Sequence, residues 1–210
     1  MQPLRLLAQG LSVVLHPLAV PTYLVALLAF GLPAGVLGLA ASARGPLVGW
    51  VALFTFVLPA LGTLLLVWLG VVNSVELADR RQRPLPLTLA GMGFLAATLA
   101  VRFTPRFHHA LLVQVLAGIT LALLCTLLIT FWWKISAHAV GMGGAVGLLL
   151  LLQEELFPTQ TAVAGWAAAA TMLALAVAWA RLWLRAHTPA QVAAGFALGI
   201  GAALAGKAVL

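Results

Sequence analysis

The chain has 210 residues, 64% of them hydrophobic and only 7% charged, with a mean hydropathy of +1.14. That balance excludes an ordinary soluble domain and points to an integral membrane protein folded as one domain, residues 1–210. The formal charge of +7 comes from cations scattered through short segments, with no basic face for nucleic acid, so anionic lipid or a phosphorylated substrate is the partner it fits.

Apolar runs of about 17 to 25 residues cross the ~30 Å hydrocarbon core as helices, because every backbone polar group must be satisfied within the segment. Seven runs are expected, near 11–32, 47–72, 86–103, 110–133, 137–152, 161–184 and 189–209. They predict an all-α, polytopic transmembrane bundle of six to seven helices, with no internal repeat or linker. The first run is expected to be retained as a span, since no small-residue cleavage site follows it. His16-Pro17 and Pro21 should kink it, with the histidine satisfied by a neighbour.

Residues 73–84 form the densest charge run. On a helix Glu76, Arg80 and Arg83 would share one face, with Glu76 placed to pair with Arg80. His108-His109 falls in a turn and reads as a wet interfacial pair; with no third ligand nearby in sequence, no metal site is assigned there. Cys125 lies alone in an apolar run, so the chain can build neither a disulfide nor a thiolate metal site. Lys134 to His138 breaks the apolar signal, and Ser136 is a good N-cap that would aim free backbone N–H groups at an anion. Gly141, Gly143, Gly144 and Gly147 then read as a close helix-packing face.

The polar stretch 180–191 stands between two apolar runs. An arginine at mid-bilayer costs about 2.5 to 3.5 kcal/mol on insertion scales, so Arg181 and Arg185 belong at an interface or against a wet cavity. Thr188, Pro189 and Gln191 spell a helix start, with a Thr-x-x-Gln capping box. If the seven runs alternate across the membrane, the loops holding Arg80 to Pro84, Ser136 to His138 and Arg181 to His187 emerge on one side. Arginines, a capped helix N-terminus and histidines gathered at one membrane face suit a phosphate monoester.

In order and spacing, these three loops resemble the signatures of the phosphatidic acid phosphatase type 2 superfamily, whose fold is shared with vanadium haloperoxidases. The family's first signature is a Lys, six residues, then Arg-Pro; here Arg83-Pro84 matches and Glu76 stands at the Lys position. The second is Pro-Ser-Gly-His, of which Ile135-Ser136-Ala137-His138 keeps the Ser and the His. The third is Ser-Arg, five residues, His, three residues, Asp; Arg181 and His187 match, while Ala180 and Gln191 replace the Ser and the Asp.

The resemblance implies a metal-independent, cofactor-free lipid phosphate phosphatase, in which His187 is the nucleophile and forms a phosphohistidine. His138 would be the acid and base, with Gln191 as the residue that orients His187. Arg83, Arg181, Ser136 and Ala137 would bind phosphate, and Arg80 is expected to supply the cation that Glu76 cannot. The implied substrate is a polyprenyl phosphate or diphosphate, a phosphatidate or a phosphatidylglycerophosphate. Glu76 and Gln191 leave room for a degenerate, lipid-phosphate-binding relative. A small transporter would want polar groups at mid-span, where this chain has almost none. Counting cations on the two sides gives a tie under the positive-inside rule. The resemblance favours a multi-pass protein of the bacterial cytoplasmic membrane with its site on the extracytoplasmic side.

Overall fold

A computed structural model of the chain describes residues 2–32 and 37–206. The last residues of the expected seventh run, Lys207 among them, lie outside the described residues. Within these, eight continuous helices and no strand are present: α1 (Gln2–Val14), α2 (Val20–Gly31), α3 (Ala41–Trp68), α4 (Pro84–Phe103), α5 (Ala110–Thr130), α6 (Ala137–Glu155), α7 (Thr161–Trp183) and α8 (Pro189–Gly206). The six from α3 to α8 are long and apolar enough to cross a membrane, as in a multi-pass membrane protein.

The expected first span, 11–32, is not one helix. Pro17 lacks an N–H and disfavours helical backbone at His16. The chain therefore leaves α1 after Val14, makes a turn closed by Ala19 N–H on the His16 carbonyl at 2.8 Å, and restarts with Pro21 in the first turn of α2. Neither piece spans alone: the 13 residues of α1 reach only ~20 Å. The second run, expected at 47–72, is shifted to Ala41–Trp68. Its middle, Leu53–Val57, is a π turn just before Pro59, where the missing N–H would interrupt an α ladder.

α6 is the central element, packed most extensively on α8 and then on α7. Close approach of backbones makes this possible. A methyl at Gly143 would lie 2.6 Å from the Phe196 carbonyl oxygen, and one at Gly195 would lie 2.7 Å from that of Ser136. Gly199 has no room against the Val140 carbonyl. In lipid, where apolar side chains gain nothing by leaving the solvent, such small-residue seams are what holds helices together. α5 packs on α4 and α8, and α1 lies along α7. His108 and His109 are satisfied locally: a His108 ring N–H donates to the Arg102 carbonyl at 2.9 Å, and His109 Nδ1 accepts from Leu111 N–H at 3.2 Å as the N-cap of α5.

Large apolar side chains cover the outside. Trp68 and Trp132, 81% and 77% exposed, sit with Trp133 and Trp183 at the helix ends from which the three polar loops emerge. Such amphipathic rings favour the headgroup level, which puts those loops at one membrane interface.

Candidate active site

Three loop geometries deliver the polar side chains. In the first loop Pro84 opens α4 at its first helical position, where no N–H is needed, and Arg83 precedes it. Arg83 is buried, and its guanidinium donates to the Leu77 carbonyl through Nε at 2.9 Å and to the Ile135 carbonyl through Nη1 at 3.1 Å. Leu77 adopts φ +47°, a left-handed conformation costing a side chain about 1 to 2 kcal/mol, and its carbonyl is the one Arg83 holds.

In the second loop, Ile135 N–H closes a three-residue turn on the Trp133 carbonyl at 3.1 Å, with Lys134 at its centre. Ser136, fully buried, is the N-cap of α6 and accepts from Ala139 N–H at 3.4 Å. Its own N–H donates to the Gln191 carbonyl at 3.3 Å, tying the second loop to the third.

The third loop leaves α7 through a Schellman turn. Ala186 N–H donates to the Arg181 carbonyl at 3.1 Å and Arg185 N–H to the Leu182 carbonyl at 2.9 Å, with Arg185 at φ +50°. The turn brings His187 inward, where it is buried. The capping box forms in full: Thr188 Oγ1 accepts from Gln191 N–H at 3.4 Å, and Gln191 Oε1 accepts from Thr188 N–H at 3.1 Å. A backbone N–H can only donate, so that side-chain atom is the amide oxygen. The same oxygen lies 3.2 Å from His187 Nδ1, so Nδ1 carries the proton and Nε2 keeps its lone pair.

α1 adds an arm absent from the sequence reading. Ser12 is buried; its carbonyl accepts from His138 Nε2–H at 2.9 Å and its hydroxyl from Arg181 Nη1 at 3.3 Å, so one residue orients both. The hydroxyl proton goes to the Ala8 carbonyl at 2.9 Å. Arg181 Nε is buried with no partner among the described residues. The His16 ring meets the His138 ring edge to face, with centroids 5.5 Å apart.

These groups surround one end of a cavity of about 870 Å³. Its lining there includes His16, Glu76, Arg83, Ala137, His138, Arg181 and His187. From that end it continues between the helices along Leu24, Phe94, Val115 and Leu148 to Leu152 and Glu155. On the outer side of His187 a second, shallow pocket is lined by Lys134, Arg185, Thr188 and Gln191.

Electrostatics follows from burial among cations. His187 is held down to about 4, first by desolvation and then by the charges of Arg83, Arg181 and Lys134, against the opposing hydrogen bond to Gln191. It is therefore neutral at pH 7, with a lone pair to offer. Arg83 is lowered to about 10 by burial and then by Arg181. Lys134 is lowered by burial, then by Arg83 and Arg181, so it belongs to the same cationic field.

Of the residues expected at the site, Arg83, Ala137, His138, Arg181 and His187 line the cavity, Gln191 lies against His187, and Ser136 is buried behind Ala137. Arg80 is placed otherwise, and the expectation that it replaces the missing cation needs correcting. Residues 76–79 are non-helical and Arg80–Gln82 is a single 3-10 turn, so Glu76, Arg80 and Arg83 share no helical face. Arg80 Nη1 donates to the Thr130 carbonyl at 3.0 Å and to that of Phe131, closing the C-terminal end of α5. The cation beside His187 that sequence reasoning passed over is Lys134. Ser12 and His16 were also missed; His16 gave a signal, an ionisable group in an apolar run, and Ser12 gave none.

Six helices long and apolar enough to cross a membrane, with Arg83 and His187 buried among the loops at one end, make this a multi-pass membrane protein. Residues 130–209 match the family model of the PAP2 superfamily, in agreement with the resemblance carried by the second and third loops. The matched stretch holds Ser136, His138, Arg181, His187 and Gln191 and leaves out Arg83. Members of that superfamily are phosphatases, so the match supports a phosphoric ester hydrolase. No curated protein and no solved structure matches the chain.

Proposed function

We propose that the chain is a lipid phosphate phosphatase, hydrolysing a phosphomonoester or diphosphate on a polyprenyl or diacylglycerol body through a phosphohistidine at His187. One observation carries the reading. A histidine with its Nδ1–H committed to Gln191 lies with Arg83, Arg181 and His138 at one end of a mostly apolar cavity.

In this mechanism the lipid body occupies the apolar length of the cavity and the phosphate meets the cations. His187 Nε2 attacks phosphorus, and the bond from phosphorus to the lipid oxygen breaks with its electron pair on the oxygen. Arg83, Arg181 and its otherwise unpartnered Nε neutralise the charge on the transferring group. His138 passes a proton to the leaving oxygen, taking it from the bound phosphate monoanion. Its Nε2–H is spent on the Ser12 carbonyl, so Nδ1 is the nitrogen that exchanges protons. Water then attacks the phosphohistidine, the bond from phosphorus to Nε2 breaks with its electron pair on the nitrogen, and the water proton passes through His138 Nδ1 to the departing inorganic phosphate. The site faces the extracytoplasmic side of a bacterial cytoplasmic membrane in this reading, as the three loops' resemblance suggests.

Glu76 favours a second reading, a lipid-phosphate-binding relative without turnover, because a carboxylate in the cavity lining opposes a phosphate dianion. One assay separates them. Purified protein is given a panel of lipid phosphates and phosphate release is measured beside His187→Ala. Release from at least one lipid, lost in the variant, supports the phosphatase; binding without release supports the second reading.

A further inference from the structure

We propose that His16 is a further catalytic residue of this site, a neutral hydrogen-bond donor whose Nε2–H meets the oxygen leaving phosphorus. The proposal rests on the phosphatase reading above.

Hydrogen bonds fix the tautomers of the two facing rings. Leu18 N–H lies 3.3 Å from His16 Nδ1 and can only donate, so Nδ1 is the acceptor and the single proton of the neutral ring sits on Nε2. The Ser12 carbonyl can only accept, so His138 has its proton on Nε2 and its free nitrogen is Nδ1. Both rings line the cavity at its polar end, edge to face with centroids 5.5 Å apart. One ring therefore brings an uncommitted donor, and the other an uncommitted site for proton exchange. An oxygen in the act of leaving needs both: a fixed dipole while charge builds on it and a proton once the bond has broken.

Burial first, and then the charge of Arg181, hold His16 below its ordinary 6.5, so it is neutral at pH 7 and donates without being consumed. No atom passes through His16. The His187 lone pair makes the new bond, the lipid oxygen keeps the electrons of the old one, and the proton carried by the bound phosphate monoanion reaches that oxygen through His138 Nδ1. A metal-binding reading of the histidines has no support in the geometry, since no three His, Cys, Asp or Glu side chains are grouped to hold an ion among the described residues.

A structural role would need only the acceptor for Leu18 N–H. That separates the alternatives, because asparagine offers an acceptor at the Nδ1 position and no donor at Nε2, whereas glutamine carries an N–H out to where Nε2 lies. The experiment uses full-length protein in detergent, a lipid alkyl phosphate cleaved by the parent and an aryl phosphate whose leaving group needs little help. The readout is the alkyl-to-aryl ratio of kcat within each variant, which a partly unfolded preparation does not change. Loss of one oxyanion donor costs about 10² to 10³ in rate, so the ratio should fall about a hundredfold in His16→Asn with little change in KM. His16→Gln should recover a large part of it. An unchanged ratio in both variants, or equal loss on both substrates tracking melting temperature, overturns the proposal. Release that survives His187→Ala overturns the phosphatase reading itself, and this proposal with it.

Discussion

Gln191 and His187 are joined by a hydrogen bond, 3.2 Å from Nδ1 to Oε1, and the same oxygen caps the first turn of α8 at 3.1 Å from Thr188 N–H. One atom thus serves the fold and the proposed nucleophile together. Asp is too short to serve both equally well, but its carboxylate favours the charge that builds on His187 as it bonds to phosphorus, through a bond roughly twice as strong as a neutral one. Gln191→Asp should keep or raise turnover and change stability by no more than about 1 kcal/mol. Gln191→Ala should lower both turnover and melting temperature. A Gln191→Ala variant with parental turnover and a lower melting temperature would reduce the residue to a helix cap.

In the proposed mechanism, protonation of His187 sets an acid limit. Its nucleophilic form is the neutral one, so kcat/KM should hold on descending from pH 7 and drop as the pH passes about 4. Stability follows the same group: the unfolded ring binds its proton near 6.5 and the folded one only near 4, so stability is present above 6.5 and is lost on descending through that window. Lys134 and Arg83 both push His187 down. Lys134→Gln and Arg83→Gln should therefore move the acid limit of kcat/KM to higher pH. A limit that stays in place in both variants would show that another group controls it.

Arg185 fills the left-handed position of the Schellman turn after α7, a place usually taken by glycine, and its side chain is exposed. Relief of the strain, less the entropy glycine adds to the unfolded chain, should make Arg185→Gly more stable by about 0.5 to 1 kcal/mol. Thermal unfolding in detergent checks this, and Arg185→Ala should show no gain.

Arg80 closes the end of α5 and lies outside the cavity lining. Arg80→Ala should cost about 1 kcal/mol in stability, as loss of a helix-end partner does, and leave KM for the lipid phosphate within about twofold. A KM raised tenfold or more would return Arg80 to the binding set.

The sequence displays most of the helices plainly because lipid tolerates only long apolar runs, and α4 to α8 lie close to where composition puts them. Breaks within runs are harder to read. Pro17 ends a helix while Pro46 and Pro59 are absorbed inside α3, and the difference lies in whether neighbouring turns can rehouse the lost hydrogen bond. At the site, residues whose roles are local could be read from spacing, such as the Thr188–Gln191 capping box. Those whose roles depend on distant chain could not. Ser12 meets Arg181 across 169 positions, and Arg80 meets Phe131 across 51.

The second and third loops are spaced by main chain pressed against main chain, with Ser136 against Gly195 and Val140 against Gly199. The gap between α6, which carries His138, and α8, which His187 precedes, is therefore a property of two backbones in contact, not of any side chain that could be exchanged. Residues along the cavity, such as Leu24, Phe94 and Leu148, lie outside those two backbone contacts. In the proposed function, exchanging them should admit a longer, shorter or branched apolar body while the loop residues keep their places. Substrate range can drift in such a scaffold with the chemistry held constant.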